Sequence, residues 1–298
     1  MHKYMRAIGF SRLRKRDLDR LLFEIRRNPD HHQTALDSEG NEFVELRREL
    51  APGMGLAMRG TYNDDGHFEM DYYFPYSCGR EISTKVPAEV IRESARECYL
   101  GLCDDLRLGI DLIFYIQDML TILESEQRNK KIVDFGGTTL GALSTEGKIL
   151  MPVFTTAKQV ENVQRFSEKH MELLSAAKEG DHEAYEELAM DDMDTYAMIS
   201  DRIEREDLYS IITSYFMPSG IESDKYAVMG KILDCRTEVN RHSAETLFVM
   251  KIECNELIFD VCINSMDLFG MPEVGRRFKG KVWMQGSVHP ISRNRGLI

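Results

Sequence analysis

The chain has 298 residues, of which 43% are hydrophobic and 30% are charged, and this composition is typical of a globular protein and not of a disordered one. The formal net charge is −12 at pH 7, which disfavours general adhesion to nucleic acid or to an anionic membrane by the protein as a whole. No stretch approaches the roughly 18 uncharged apolar residues that a membrane helix needs, so the sequence predicts a cytoplasmic protein.

The sequence from residue 1 to residue 155 predicts a mixed α+β domain. Residues 4–10 are expected to form a short strand. A helix is predicted after it from an apolar stripe at i, i+3, i+4 and i+7, which consists of Leu18, Leu21, Leu22 and Ile25. Three hairpins are then expected, with turns at residues 63–66, 104–105 and 145–147, so antiparallel strands dominate this domain.

Residues 156–217 predict an acidic helical connector. This segment holds 6 basic and 15 acidic side chains, and its apolar residues keep helical spacing. Gly180 is expected to end one helix, and Asp181 is expected to cap the next. The opposite charge lies at residues 275–298, which hold 6 basic and no acidic side chains. A basic end on an acidic chain is typical of a partner site, and it could equally dock on the acidic connector.

Residues 218–298 predict a small β domain. Four strands are expected, at residues 226–239, 245–254, 257–264 and 277–289. Their order resembles an OB-type β-barrel, although no fifth strand is evident after Pro290. The predicted fold class is therefore α+β, with a mixed antiparallel N-terminal domain, a helical connector and a C-terminal OB-like barrel.

The last predicted strand carries the candidate binding residues. Side chains alternate along a strand, so one face would hold Phe278, Gly280, Val282 and Met284, as barrel interior. The other face would hold Arg277, Lys279, Lys281, Trp283 and Gln285. A tryptophan among three cations is an arrangement that can stack and hold an anionic chain.

Three interpretations of this face remain open. In the first, Trp283 packs beneath the acidic connector or against a second copy of the chain, while Arg277, Lys279 and Lys281 pair with carboxylates. In the second, the face binds a protein or peptide partner. In the third, it binds single-stranded nucleic acid weakly and in a salt-dependent manner.

The sequence offers no recognisable reaction motif, so a non-enzymatic binding or scaffold protein is expected. Residues 141–148, GALSTEGK, depart from the phosphate-loop spacing and lack its Ser/Thr, and His31-His32 is expected in a solvated loop. The six cysteines form no C-x-x-C pair and are expected to be reduced. No catalytic residue, cofactor or metal ligand is assigned. An enzyme with a site between the two halves remains the alternative.

Two segments carry a resemblance to a known family. The beginning, MRAIGFS, and the end, FKGKVWMQG, resemble those of an uncharacterised bacterial family defined by a domain of unknown function. The resemblance implies a cytoplasmic protein without membrane spans, and it carries no catalytic residues to transfer.

Overall fold

The computed structural model of the chain describes residues 2–37, 40–93, 98–129, 135–153, 157–203 and 208–290. A 3₁₀ helix (Lys3–Ile8) comes first, and two further 3₁₀ turns lie at Leu106–Leu108 and Ser265–Asp267. The α-helices are α1 (Lys15–Arg27), α2 (Met119–Asn129), α3 (Ala157–Lys178), α4 (His182–Ile203) and α5 (Leu208–Ile211). The strands are β1 (His31–Leu36), β2 (Glu42–Ala51), β3 (Met54–Tyr62), β4 (Phe68–Ser77), β5 (Glu89–Glu93), β6 (Cys98–Cys103), β7 (Leu112–Ile116), β8 (Phe135–Leu150), β9 (Tyr215–Pro218), β10 (Lys225–Val239), β11 (Thr246–Cys254), β12 (Leu257–Asn264), β13 (Leu268–Phe269) and β14 (Arg277–Pro290). The predicted α+β class is confirmed.

The N-terminal part is a four-stranded antiparallel sheet, in the order β1-β2-β3-β4, with α1 packed against it. The predicted apolar stripe of α1 is its buried face. The predicted turn at residues 63–66 joins β3 to β4, and the amide of Gly66 donates to the carbonyl of Asn63 at 2.8 Å. The expected strand at residues 4–10 is wrong, because this segment forms the 3₁₀ helix and Gly9, at φ 96°, ends it.

The second sheet contains a closed ring of five strands. β14 pairs with both β10 and β8, while β10–β11, β11–β12 and β12–β8 complete the circuit. Only the β12–β8 pair of this ring is parallel. The fifth strand is therefore β8, which precedes the helical connector. From the sequence, a fifth strand was looked for only after Pro290.

The hairpin expected at residues 145–147 is wrong, because β8 is one continuous strand of 16 residues. Its Gly147 lies opposite Gly280 of β14, and the ring of Phe278 occupies the space beside both. A Cβ atom on Gly147 would lie 2.5 Å from Cε2 of Phe278, and one on Gly280 would lie 2.6 Å from its Cζ. These two glycines thus make room for a core aromatic and do not form a turn.

The boundary between the two sheets does not coincide with the boundaries of the expected domains. β14 also pairs in parallel with β7, and β6 and β5 continue the sheet beyond it, so strands from residues 1–155 and from residues 218–298 share one sheet. The connector, expected at residues 156–217, contributes α3 and α4 as an antiparallel pair. Gly180, at φ 95°, follows α3, and the carboxylate of Asp181 accepts from the amide of Glu183 at 2.9 Å, as predicted. Within the described residues, no helix is long and apolar enough to cross a membrane.

A buried ionic network joins the four-stranded sheet to β7. Arg59 is 0% exposed, and its guanidinium donates to Glu45 Oε2 at 2.6 Å, to the hydroxyl of Tyr115 at 3.0 Å and to the carbonyl of Gln117 at 2.8 Å. Arg47 binds the other oxygen of the same carboxylate. Burial opposes ionisation of Glu45, but the two guanidinium groups outweigh it and hold the pKa of the carboxyl below its ordinary value.

Candidate functional site

The five predicted binding residues lie on one face of β14, the face that points out of the ring. Phe278, Val282 and Met284 belong to the core that includes the ring interior, whereas Trp283 belongs to a second core beneath the N-terminal part. Three of the outward residues, Arg277, Trp283 and Gln285, are buried beneath other segments of the chain, so the five do not form one open surface.

Trp283 is 5% exposed, so it does not offer the open stacking surface that the nucleic-acid interpretation requires. The rings of His2, Tyr4 and Tyr115 surround it, with ring centroids 4.9, 5.2 and 5.3 Å from that of Trp283. Its Nε1 donates to Asp224 Oδ2 at 2.6 Å. The expectation that the acidic connector covers Trp283 is also corrected, because the N-terminal 3₁₀ helix is the element that brings His2 and Tyr4 onto it.

Arg277 and Gln285 are buried as well. The Arg277 guanidinium donates to the carbonyls of Ile212 and Tyr209, both at 2.8 Å, and burial lowers its pKa. The expected pairing of Arg277 with connector carboxylates is therefore replaced by bonds to backbone carbonyls near α5. Gln285 donates to the carbonyl of Pro75 at 2.9 Å and accepts from Gln117 Nε2 at 2.7 Å. Both residues fasten β14 to its neighbours.

Lys279 and Lys281 remain accessible and line a cleft of about 640 Å³, called here the lysine–tyrosine cleft. Its polar lining consists of three lysines, two tyrosines and two carboxylates, namely Lys148, Lys279, Lys281, Tyr209, Tyr215, Glu146 and Asp267. Lys148 lies opposite Lys279 in the β8–β14 pair, and Lys281 lies opposite Glu146. The alternation of β14 indicated two of these residues, but Lys148 could be found only by knowing that β8 pairs with β14.

The charge in this cleft is only partly neutralised. Lys281 pairs with Glu146 at 3.2 Å, and both side chains are largely exposed. Lys279 lies 4.4 Å from the ring centroid of Tyr209 and also bonds its hydroxyl, which raises the pKa of the ammonium group and keeps it charged. Among the residues that the structure describes, no carboxylate lies within ion-pair distance of Lys148 or Lys279.

The described residues contain no grouping of three or more His, Cys, Asp or Glu side chains that could hold a metal ion. His31 and His32 lie exposed on β1 and not in the loop that was expected. All six cysteines are free, and burial raises the pKa of Cys254 and Cys262 to about 12, so neither thiol is poised as a nucleophile.

Comparison with known proteins gives one match. A family model described as "Domain of unknown function, E. rectale Gene description (DUF3881)" matches residues 5–286. No curated protein matches the chain. No solved structure matches it either.

Proposed function

The chain belongs to the DUF3881 family, and from that premise we propose that it is a non-enzymatic binding protein that holds an acidic segment of a protein partner in the lysine–tyrosine cleft. The cleft holds three lysines against two carboxylates, so its local charge is positive, whereas the formal net charge of the chain is −12. Such a local reversal favours a ligand of opposite charge.

The observation that carries this proposal is the pairing of Lys148 with Lys279. Directly opposite residues of an antiparallel pair have Cβ atoms roughly 5 Å apart, and like charges at that position destabilise a sheet. No described carboxylate lies within ion-pair distance of these two ammonium groups. A carboxylate-bearing partner would offset that repulsion.

Exposed apolar side chains flank the lysines and favour a polypeptide partner. Phe269 lies beside Lys148 in the β13–β8 pair and is 77% exposed. On the other side, Met217 of β9 is 53% exposed and lies beside Ala227, whose other neighbour is Lys281. An acidic segment with apolar anchors at both ends would match this pattern.

We interpret the five-stranded ring as an OB-type barrel in which β8 takes the place of the last strand. In OB barrels, the second and third strands form the usual face for oligonucleotides. The corresponding strands here are β11 and β12, whose outward residues Leu247, Val249 and Cys262 are fully buried in the core beneath the N-terminal part. This covering is a reason to prefer a protein partner to nucleic acid.

The test is fluorescence anisotropy with a labelled glutamate-rich peptide that carries phenylalanine near each end. We expect saturable binding that weakens with salt and that falls at least about tenfold in Lys148→Glu/Lys279→Glu. Lys231→Glu is the matched control, because Lys231 is exposed on β10 of the same ring and does not line the cleft. The proposal fails if the double variant binds like the control. It also fails if only a labelled single-stranded oligonucleotide binds, since the partner would then be a nucleic acid.

A further inference from the structure

A second cleft, the Trp283 cleft, opens beside the first and has about 810 Å³ of volume. This volume lies within the range of small-molecule sites, roughly 300–1,000 Å³. The 3₁₀ helix, the loop before β10, and strands β6, β7 and β14 contribute its lining. It shares with the lysine–tyrosine cleft only the neighbouring strands β10 and β14, so its role does not rest on the proposed function.

The floor of the Trp283 cleft is aromatic and held in place. Tyr4, Tyr115 and Trp283 all line it, and their rings are packed against one another. The carbonyl of Asp224 accepts from the amide of Met284 at 2.9 Å, while its carboxylate accepts from the indole. The loop that forms one wall is thereby tied to β14 at two points, which gives a site that exists before any ligand arrives.

Two lysine ammonium groups lie beside the ring of Tyr4. The ammonium groups of Lys3 and Lys225 lie 5.0 and 5.9 Å from the ring centroid of Tyr4, so they occupy the position that a ligand cation would take over that ring. Lys225 is paired with Glu222, whereas Lys3 forms no ion pair with any described residue. Burial, followed by the charge of Lys225, lowers the pKa of His2 to about 4, so the imidazole is neutral.

Carboxylates and apolar side chains also line the cleft. Asp224 is half-buried, and its carboxylate lines the cleft beside the indole. Leu100 and the exposed Ile221 add apolar surface. The cleft therefore combines the ammonium groups of Lys3 and Lys225, the carboxylates of Glu222 and Asp224, an aromatic floor and an apolar wall.

We propose that the Trp283 cleft binds a small anionic molecule built on a planar ring, with its anionic group beside Lys3 and Lys225 and its ring against the floor around Trp283. A nucleoside monophosphate and an aromatic carboxylate share this chemistry. In a nucleoside monophosphate, amino groups on the base would also donate hydrogen bonds to the carboxylate of Asp224.

The experiment uses Trp283, the only tryptophan of the chain, as the reporter. Its selectively excited emission is recorded during titration with AMP, benzoate, inorganic phosphate and acetate, and calorimetry gives an independent affinity. We expect AMP or benzoate to produce a saturable change and to bind at least about tenfold more tightly than the matching ringless anion. If AMP binds and benzoate does not, the ligand class is the nucleoside monophosphates. If benzoate binds and AMP does not, the ligand class is the aromatic carboxylates.

Lys3→Met tests the anion contact, because Lys3 is exposed and forms no ion pair with any described residue. The affinity for the ring anion is expected to fall about tenfold, while Lys15→Met, at an exposed position on α1, leaves it unchanged. The proposal is overturned if neither ring anion saturates at millimolar concentration. It is equally overturned if inorganic phosphate binds as tightly as AMP, or if Lys3→Met binds like the parent chain.

Discussion

Replacing Glu45 with glutamine tests how the buried ionic network stabilises the protein. Glu45 is 3% exposed and is the carboxylate that binds both Arg47 and Arg59. In Glu45→Gln, the buried guanidinium of Arg59 and the half-buried guanidinium of Arg47 stay beside each other without this counter-charge. Breaking a buried pair in this way costs about 3–5 kcal/mol, so the free energy of unfolding should fall by that amount.

Arg59→Met is the matched comparison, and it should cost less, about 2 kcal/mol. Glu45 then still has Arg47, methionine refills part of the volume, and the main loss is the donors to Tyr115 and Gln117. Denaturant unfolding at neutral pH, followed by circular dichroism and Trp283 emission, measures both values. The reasoning is refuted if Arg59→Met is the more destabilising change.

The dependence of the free energy of unfolding on pH in acid gives a second test of the same network. The folded pKa of Glu45 lies below its unfolded value, so its contribution is present above the ordinary carboxyl pKa and is lost as the pH falls through the folded value. Glu45→Gln should therefore unfold with a weaker dependence on pH in this range than the parent chain. An unchanged dependence would contradict the assignment.

Three further outcomes are expected. Trp283 should emit at short wavelength and resist quenching by iodide in the unliganded protein, because it is 5% exposed; emission like that of free tryptophan would contradict its burial. Burial raises the pKa of Asp118 to about 6. The protonated carboxyl therefore contributes stability to the folded state. This contribution is fully present below the pKa of the unfolded chain and is lost as the pH rises through 6. Asp118→Asn should then be more stable than the parent chain by about 1–3 kcal/mol in denaturant titrations at pH 8 and equal to it near pH 3. Lys148→Glu should raise the unfolding free energy by about 0.5 kcal/mol, since it removes repulsion with Lys279, yet weaken binding of the acidic peptide; a loss of stability would argue against the like-charge interpretation.

Local periodicity was enough to predict several elements. The stripe of α1 and the strands β10, β11, β12 and β14 follow from spacings of 3.6 and 2 residues, and the Gly180–Asp181 boundary follows from the usual end and start signals of helices. The 3₁₀ helix was missed because its short apolar run fits a strand equally well. The continuity of β8 was missed because Gly147 looked like a turn residue, whereas it makes room for Phe278.

The candidate site was likewise predicted only in part. The alternation along β14 placed Arg277, Lys279, Lys281, Trp283 and Gln285 on one face, and the structure has them there. It could not indicate that three of them are buried. Lys148, Tyr209 and Tyr215 were missed because they join the two predicted lysines only through pairing between distant segments.

The sequence by itself therefore determined the α+β class, the acidic helical connector, and which side chains of the last strand point the same way. These properties depend on residues within a few positions of one another. Only the tertiary structure decided that β8 closes the ring, that the N-terminal 3₁₀ helix covers Trp283, and that Lys148 meets Lys279. The physical reason is that strand pairing and burial depend on contacts between residues more than a hundred positions apart, and no local pattern of polarity specifies which of several compatible surfaces will meet.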